Sequence, residues 1–214
     1  MTRFRVVVAT AAAVALFGAA TVRAQAQDEG VKAVEQLVKK ARETVEAIAN
    51  TKAQLGKTME VYNTLMADTA TDRKGLYKKL QQQMASTEER RAEIKVRADE
   101  ASASAEGVFK SWADSAAAIS DPALRKRSED RITSTRASLA QVKAAGQKAS
   151  DLYAPVMKTL QDQVTYLGHD LNASAITSLK PDAAKLNARV EELTKQLDDT
   201  ISSANAAISA ISPK

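Results

Sequence analysis

Residues 31–66 read VKAVEQLVKKARETVEAIANTKAQLGKTMEVYNTLM, and this stretch decides the fold. Its apolar residues recur in alternating steps of three and four, which is the spacing of a helix that buries one stripe against another helix. Lys52 is the only charged residue on this stripe. The stripe consists of Val31, Val34, Val38, Ala41, Val45, Ile48, Lys52, Leu55, Met59, Tyr62 and Met66. The stretch therefore predicts a long amphipathic helix.

The same spacing returns in three later segments that are separated by turn-forming residues. A second helix is predicted over residues 72–120. A third begins at Asp121-Pro122, because Asp accepts hydrogen bonds from free amides at a helix start and Pro is tolerated at the first helical position. A fourth is predicted to restart near Pro181. Tyr62 and Tyr153 fall on core stripes, and we expect their hydroxyl groups to reach the edge of the packed helices.

The composition indicates an all-α protein. The chain has 4 prolines, 7 glycines and 4% aromatic residues, and no segment alternates apolar and polar residues with period two for long enough to suggest a sheet. Long helices with short connections predict an elongated antiparallel four-helix bundle, a coiled-coil arrangement of two hairpins, 28–120 and 121–212. Hairpins that meet over part of their length, or that pair between two chains, are the alternative that the spacing leaves open.

The N-terminal residues have the pattern of a secretory signal peptide. Arg3 and Arg5 precede an apolar run over residues 6–20, and Ala24-Gln25-Ala26 supplies a small-x-small cleavage pattern. The run is shorter than the roughly 20 residues of a membrane span. We therefore expect residues 1–26 to be removed by cleavage near Ala26, which leaves residues 27–214 as a single elongated helical domain of a secreted, periplasmic protein.

Removal of the signal peptide also changes the charge balance. The full chain carries a net charge of +5, and cleavage takes away three arginines and no acidic residue, so the mature chain carries about +2. Nucleic-acid-binding proteins usually show a larger, clustered surplus. The charge therefore disfavours nucleic acid as a partner.

The residue types of known catalytic sites are scarce in this sequence. His169 is the only histidine, and with Asp162 and Tyr166 it offers one nitrogen and one carboxylate, short of the three or four protein ligands that zinc usually takes. The motifs Cys-x-x-Cys-His and Glu-x-x-His, which hold haem or two irons, do not occur. We expect a protein that is not an enzyme, with no catalytic residue, no metal site and no cofactor.

A basic cluster lies near the start of the predicted third helix and consists of Arg125, Lys126, Arg127 and Arg131. Positive charge at a helix N-terminus opposes the helix dipole, so another group should compensate it. The cluster is a candidate patch for an anionic partner, such as a phospholipid headgroup or an acidic protein. The alternative is pairing across the turn with Asp114 and Glu106.

The stretch from Gln163 to Leu179 is polar and irregular where a short turn would suffice. It contains Gln163-Val164, Leu167, His169, Leu171-Asn172-Ala173, Ala175-Ile176 and Ser178-Leu179, with LRKRSE at residues 124–129 and Pro155-Val156 upstream. With these residues the chain resembles the exported bacterial helical family catalogued as domain of unknown function 2959. The resemblance implies an all-helical exported protein and brings no reaction, cofactor or partner with it.

The junction between the third and fourth helices is the candidate interaction surface, formed by Gln163, Tyr166, His169, Asn172 and Ser178. The alternative is a hydrogen-bonded corner that only shapes the connection. The function expected from the sequence is a structural or protein-interaction bundle of the cell envelope, with an envelope protein as partner. Membrane-surface binding, a small-ligand or metal carrier at His169, and a homo-oligomer remain alternatives.

Overall fold

Four long helices make up the part of the chain that the structure describes. A computed structural model describes the backbone of residues 11–212 and the side chains of residues 30–212. The helices are α1 (Ala11–Met66), α2 (Arg73–Ala117), α3 (Pro122–His169) and α4 (Ala173–Ile211). At 1.5 Å per residue they are roughly 60–85 Å long. The described residues contain no β-strand, so the all-α prediction is confirmed; the predicted signal peptide lies outside the described side chains.

The helices form an antiparallel bundle. Each helix packs against its neighbour in sequence, and α1 also packs against α4. Lys40 and Arg97 mark the antiparallel α1–α2 pairing, since Lys40 lies 3.9 Å from Glu100 and Arg97 lies 3.5 Å from Glu43. The predicted four-helix bundle of two hairpins is therefore confirmed. Packing is sparsest between α2 and α3.

The buried side chains form two clusters along the rod. The larger cluster lies toward the α1–α2 and α3–α4 turns and includes Leu55, Leu80, Leu160 and Leu186 at 0% exposure. The smaller cluster lies toward the α2–α3 turn and contains Val34, Leu37, Val38, Ala105, Val108, Phe109, Ile208 and Ile211. Among the described residues, none of the helices combines the length and apolarity that a membrane span needs.

Side-chain caps set the starts of α2, α3 and α4. Asp72 accepts from the amide of Gly75 at 2.8 Å, Asp121 accepts from two amides of α3, and Asn172 accepts from the amide of Ala175 at 2.9 Å. The prediction that the fourth helix restarts near Pro181 is wrong, because α4 begins at Ala173, eight residues earlier, with Asn172 as its cap. Pro181 lies inside α4, as Pro155 lies inside α3.

Candidate functional site

Gln163 is not part of the surface of the α3–α4 junction. Its side chain is buried, and its amide oxygen accepts a hydrogen bond from the hydroxyl of Tyr62 across the diagonal of the bundle. The prediction of Gln163 as a contact residue is wrong, because it faces the core. The expectation for Tyr62 is wrong for the same reason, since its hydroxyl is buried with Gln163 and does not reach the edge.

The other polar residues of the junction bond to one another. Asn172 donates from its side-chain amide to Asp170 at 2.6 Å, in addition to capping α4. Ser178 donates to the carbonyl of Ala175 at 2.8 Å and lies 3.3 Å from the hydroxyl of Tyr166. Tyr166 keeps 47% of its surface exposed. These contacts build the corner between the two helices, which is the alternative that the sequence left open.

His169 is the last residue of α3 and its side chain is exposed. Asp162, which lies two turns earlier, pairs with Lys158 at 3.0 Å. Within the described part of the chain, no group of three or more His, Asp or Glu side chains is placed to hold a metal ion. The junction therefore offers the single imidazole of His169, together with the exposed face of Tyr166.

Three side chains of the basic cluster at the start of α3 contact neighbouring groups of the chain. Arg125 donates twice to the carbonyl of Ile119, at 2.7 and 2.9 Å, and so holds the turn between α2 and α3. Lys126 pairs with Asp130 at 3.0 Å. Arg131 lies 5.8 Å from the ring centroid of Trp112. The predicted compensation by Asp114 and Glu106 is wrong for these three side chains, because a carbonyl, an intrahelical carboxylate and an aromatic ring take that place.

The positive charge continues well beyond the predicted cluster. Residues 122–150, here called the basic half of α3, contain two acidic residues and seven basic residues: Arg125, Lys126, Arg127, Arg131, Arg136, Lys143 and Lys148. The rest of residues 27–214 has more acidic than basic residues. The positive surplus of the chain after the predicted cleavage therefore resides on one half of one helix. Counting charges by helix segment could have found this signal in the sequence.

The family relationship follows from a comparison of the whole chain. The model of a family described as "Protein of unknown function (DUF2959)" matches residues 24–211, which include the four described helices from Ala24 onward. The chain belongs to the DUF2959 family. No curated protein and no solved structure matches it.

The bundle of this DUF2959 protein is open between α2 and α3. On α2 no residue is buried between Thr87 and Ala105, and on α3 none is buried between Thr135 and Ala149. Partly exposed apolar side chains lie in both stretches, namely Ile94, Ala98 and Ala101 on α2 and Leu139 and Val142 on α3. We call this region, residues 88–104 and 136–148, the open seam.

A groove of about 550 Å³ continues the open seam toward the larger core cluster. Met84 and Met157 line it from α2 and α3, together with Tyr153. The hydroxyl of Tyr153 donates to Glu88 at 3.2 Å, and Arg91 lies 5.0 Å from the ring centroid of Tyr153. Arginine–aromatic contacts and polar side chains thus hold α2 beside α3 where aliphatic packing is sparse.

Tyr62 and Tyr153, whose side chains are buried, both have raised pKa values. Burial raises the pKa of Tyr62 well above its ordinary value of 10, and the charge of Asp182 acts in the same direction. Burial also raises the pKa of Tyr153, and the carboxylate of Glu88 adds to that effect. Both hydroxyl groups therefore stay protonated at physiological pH and act as hydrogen-bond donors within the bundle.

Proposed function

We propose that this DUF2959 chain is an exported, non-enzymatic helical bundle that acts as a structural or protein-interaction component of the bacterial cell envelope. The N-terminal pattern supports export to the periplasm, because a basic start, a short apolar run and Ala24-Gln25-Ala26 follow one another as in a secretory signal peptide.

The open seam is the observation that carries this proposal. Helices of a self-contained bundle bury a continuous apolar stripe, as α4 does here. In α2 and α3 the stripe is interrupted over 17 and 13 residues, respectively, although apolar side chains continue through both stretches. Incompletely covered apolar positions of this kind suit a surface that receives a helix from another protein.

Photo-crosslinking in intact cells tests the proposed role. A photoreactive residue at Ala154, which lines the groove, is expected to trap a reproducible envelope protein. Ala188, an equally small and exposed residue of α4, is the matched control and should trap none. Recovery of only monomer from the Ala154 position would contradict an interaction role of the groove that continues the open seam.

Cell fractionation tests export in the same strain. The chain is expected in the periplasmic fraction in a form shortened by about 26 residues, according to the cleavage pattern. An Ala24→Asp/Ala26→Asp variant should accumulate as the longer precursor, because cleavage requires small neutral side chains at these positions and aspartate is charged. Full-length protein in the cytoplasm of the unmodified strain would contradict the proposed location.

A further inference from the structure

The charge and packing of the open seam indicate the chemistry of its partner. Arg136 lies 4.9 Å from the ring centroid of Phe109, which turns this side of α3 toward α2. Lys143 follows Arg136 by seven residues, or two helical turns, and therefore lies on the same side. Both side chains are exposed, and they flank the partly covered Leu139 and Val142.

Acidic residues of this chain leave much of that charge unbalanced. No acidic residue occurs between Asp130 and Asp151. Among the described side chains, the ion pairs of α2 are made within α2 or with α1, as in Lys95–Asp99 and Arg97–Glu43. The open seam therefore combines apolar positions with a basic wall on α3.

The uncovered length fits a helix of moderate size. The interrupted stretches of 17 and 13 residues correspond to about 25 and 20 Å of helix. A segment of about four turns could lie along this length with its apolar face toward Ile94 and Val142. A groove between two helices favours such a rod over a flat membrane surface.

We propose that the open seam docks an acidic amphipathic helix supplied by a protein partner. The apolar face of that helix covers the partly exposed apolar positions of α2 and α3, and its carboxylates face Arg136 and Lys143. This inference rests on the proposed interaction role and adds the chemical class of the partner.

Two lysines of the same helix supply a matched pair of variants. Lys143 and Lys148 are both exposed, and five residues place them about 140° apart around α3. Lys143 therefore faces the open seam and Lys148 does not. Lys143→Glu and Lys148→Glu change the net charge equally, so a difference between them reports position and not total charge.

Binding of synthetic peptides to the full mature chain tests the proposal. The probes are an 18-residue amphipathic helix with glutamates on its polar face and the same peptide with lysines instead, both followed by fluorescence anisotropy. The acidic peptide should bind saturably and the basic one should not. Lys143→Glu should weaken binding at least tenfold, whereas Lys148→Glu should change it less than threefold.

Three results would overturn the proposal. The acidic peptide could fail to bind, the two lysine variants could lose binding equally, or vesicles containing phosphatidylglycerol could bind the chain in flotation while the acidic peptide does not. Circular dichroism of each variant checks that it is folded. Failure of export in the fractionation experiment would contradict the proposed location and leave the peptide result standing, so the two failures are distinguishable.

Discussion

At the scale of single residues, buried polar pairs fix how the helices align. Tyr62 and Gln163 join α1 to α3 across the diagonal, and Thr58 lies 2.8 Å from Thr87 between α1 and α2. A shift of one helix by a turn would leave these groups buried without partners, which costs more than the same shift among apolar side chains. The pairs therefore select one alignment among stripes that are otherwise uniform.

Removal of the Tyr62 hydroxyl should destabilise the bundle. Tyr62→Phe leaves the amide of Gln163 buried without its donor, so we expect the free energy of unfolding to fall by about 1–3 kcal/mol. Urea unfolding followed by circular dichroism measures this. The double variant Tyr62→Phe/Gln163→Leu should lose less free energy of unfolding than the sum of the losses in the two single variants. Tyr166→Phe is the control, and an equal loss there would contradict the assignment.

The same tyrosines make stability depend on alkaline pH. Because the pKa values of Tyr62 and Tyr153 are raised in the folded chain, the unfolded chain releases these protons first, near pH 10. The free energy of unfolding should be unaffected by them below pH 10 and fall above it, by up to about 1.4 kcal/mol per pH unit for each tyrosine. A Tyr62→Phe/Tyr153→Phe variant should show a shallower fall in urea titrations between pH 9 and 11, and an unchanged slope would contradict the effect.

At the scale of helices, the sequence predicts what depends on local pattern and misses what depends on context. The apolar spacing predicts all four helices, because each stripe is a property of its own segment. The early start of α4 escapes this reasoning, since burial of Ala175 and Ile176 offsets the lost backbone bond at Pro181. At the candidate site, the sequence identified the basic start of α3 but placed Gln163 at the surface, because its partner Tyr62 lies 101 residues away.

Pro181 should lower the stability of α4, although it does not end the helix. Pro181→Ala restores an amide donor to the helix interior, and we expect the free energy of unfolding to rise by about 1–3 kcal/mol. Pro122→Ala is the control, because Pro122 is the first residue of α3 and its missing amide costs nothing there. Thermal and urea unfolding measure both variants. A similar change in the free energy of unfolding of both variants would show that the position of the proline within its helix does not decide its cost.

At the scale of the whole molecule, the bundle is closed on three sides and open on the fourth. An ion pair and an amide pair hold α1 against α4, with Lys52 2.5 Å from Asp198 and Asn63 bonded to Asn187. Lys52, the one charged residue on the stripe of α1, thereby serves the α1–α4 contact. The open seam between α2 and α3 has fewer buried side chains to hold it, so local opening should require least free energy there.

Hydrogen exchange should reveal this difference within single helices. Amides of residues 88–104 and 136–148 are expected to exchange at least tenfold faster than amides of residues 152–167, although all three segments are helical. The comparison within α3 controls for helix formation itself, because its second half buries seven side chains: Tyr153, Val156, Met157, Leu160, Gln163, Val164 and Leu167. Mass spectrometry of the full mature chain measures the rates, and uniform protection along α3 would contradict a loosely packed seam.

Addition of the acidic peptide should slow exchange in residues 88–104 and 136–148 and leave residues 186–197 of α4 unchanged, because only the seam gains a covering helix.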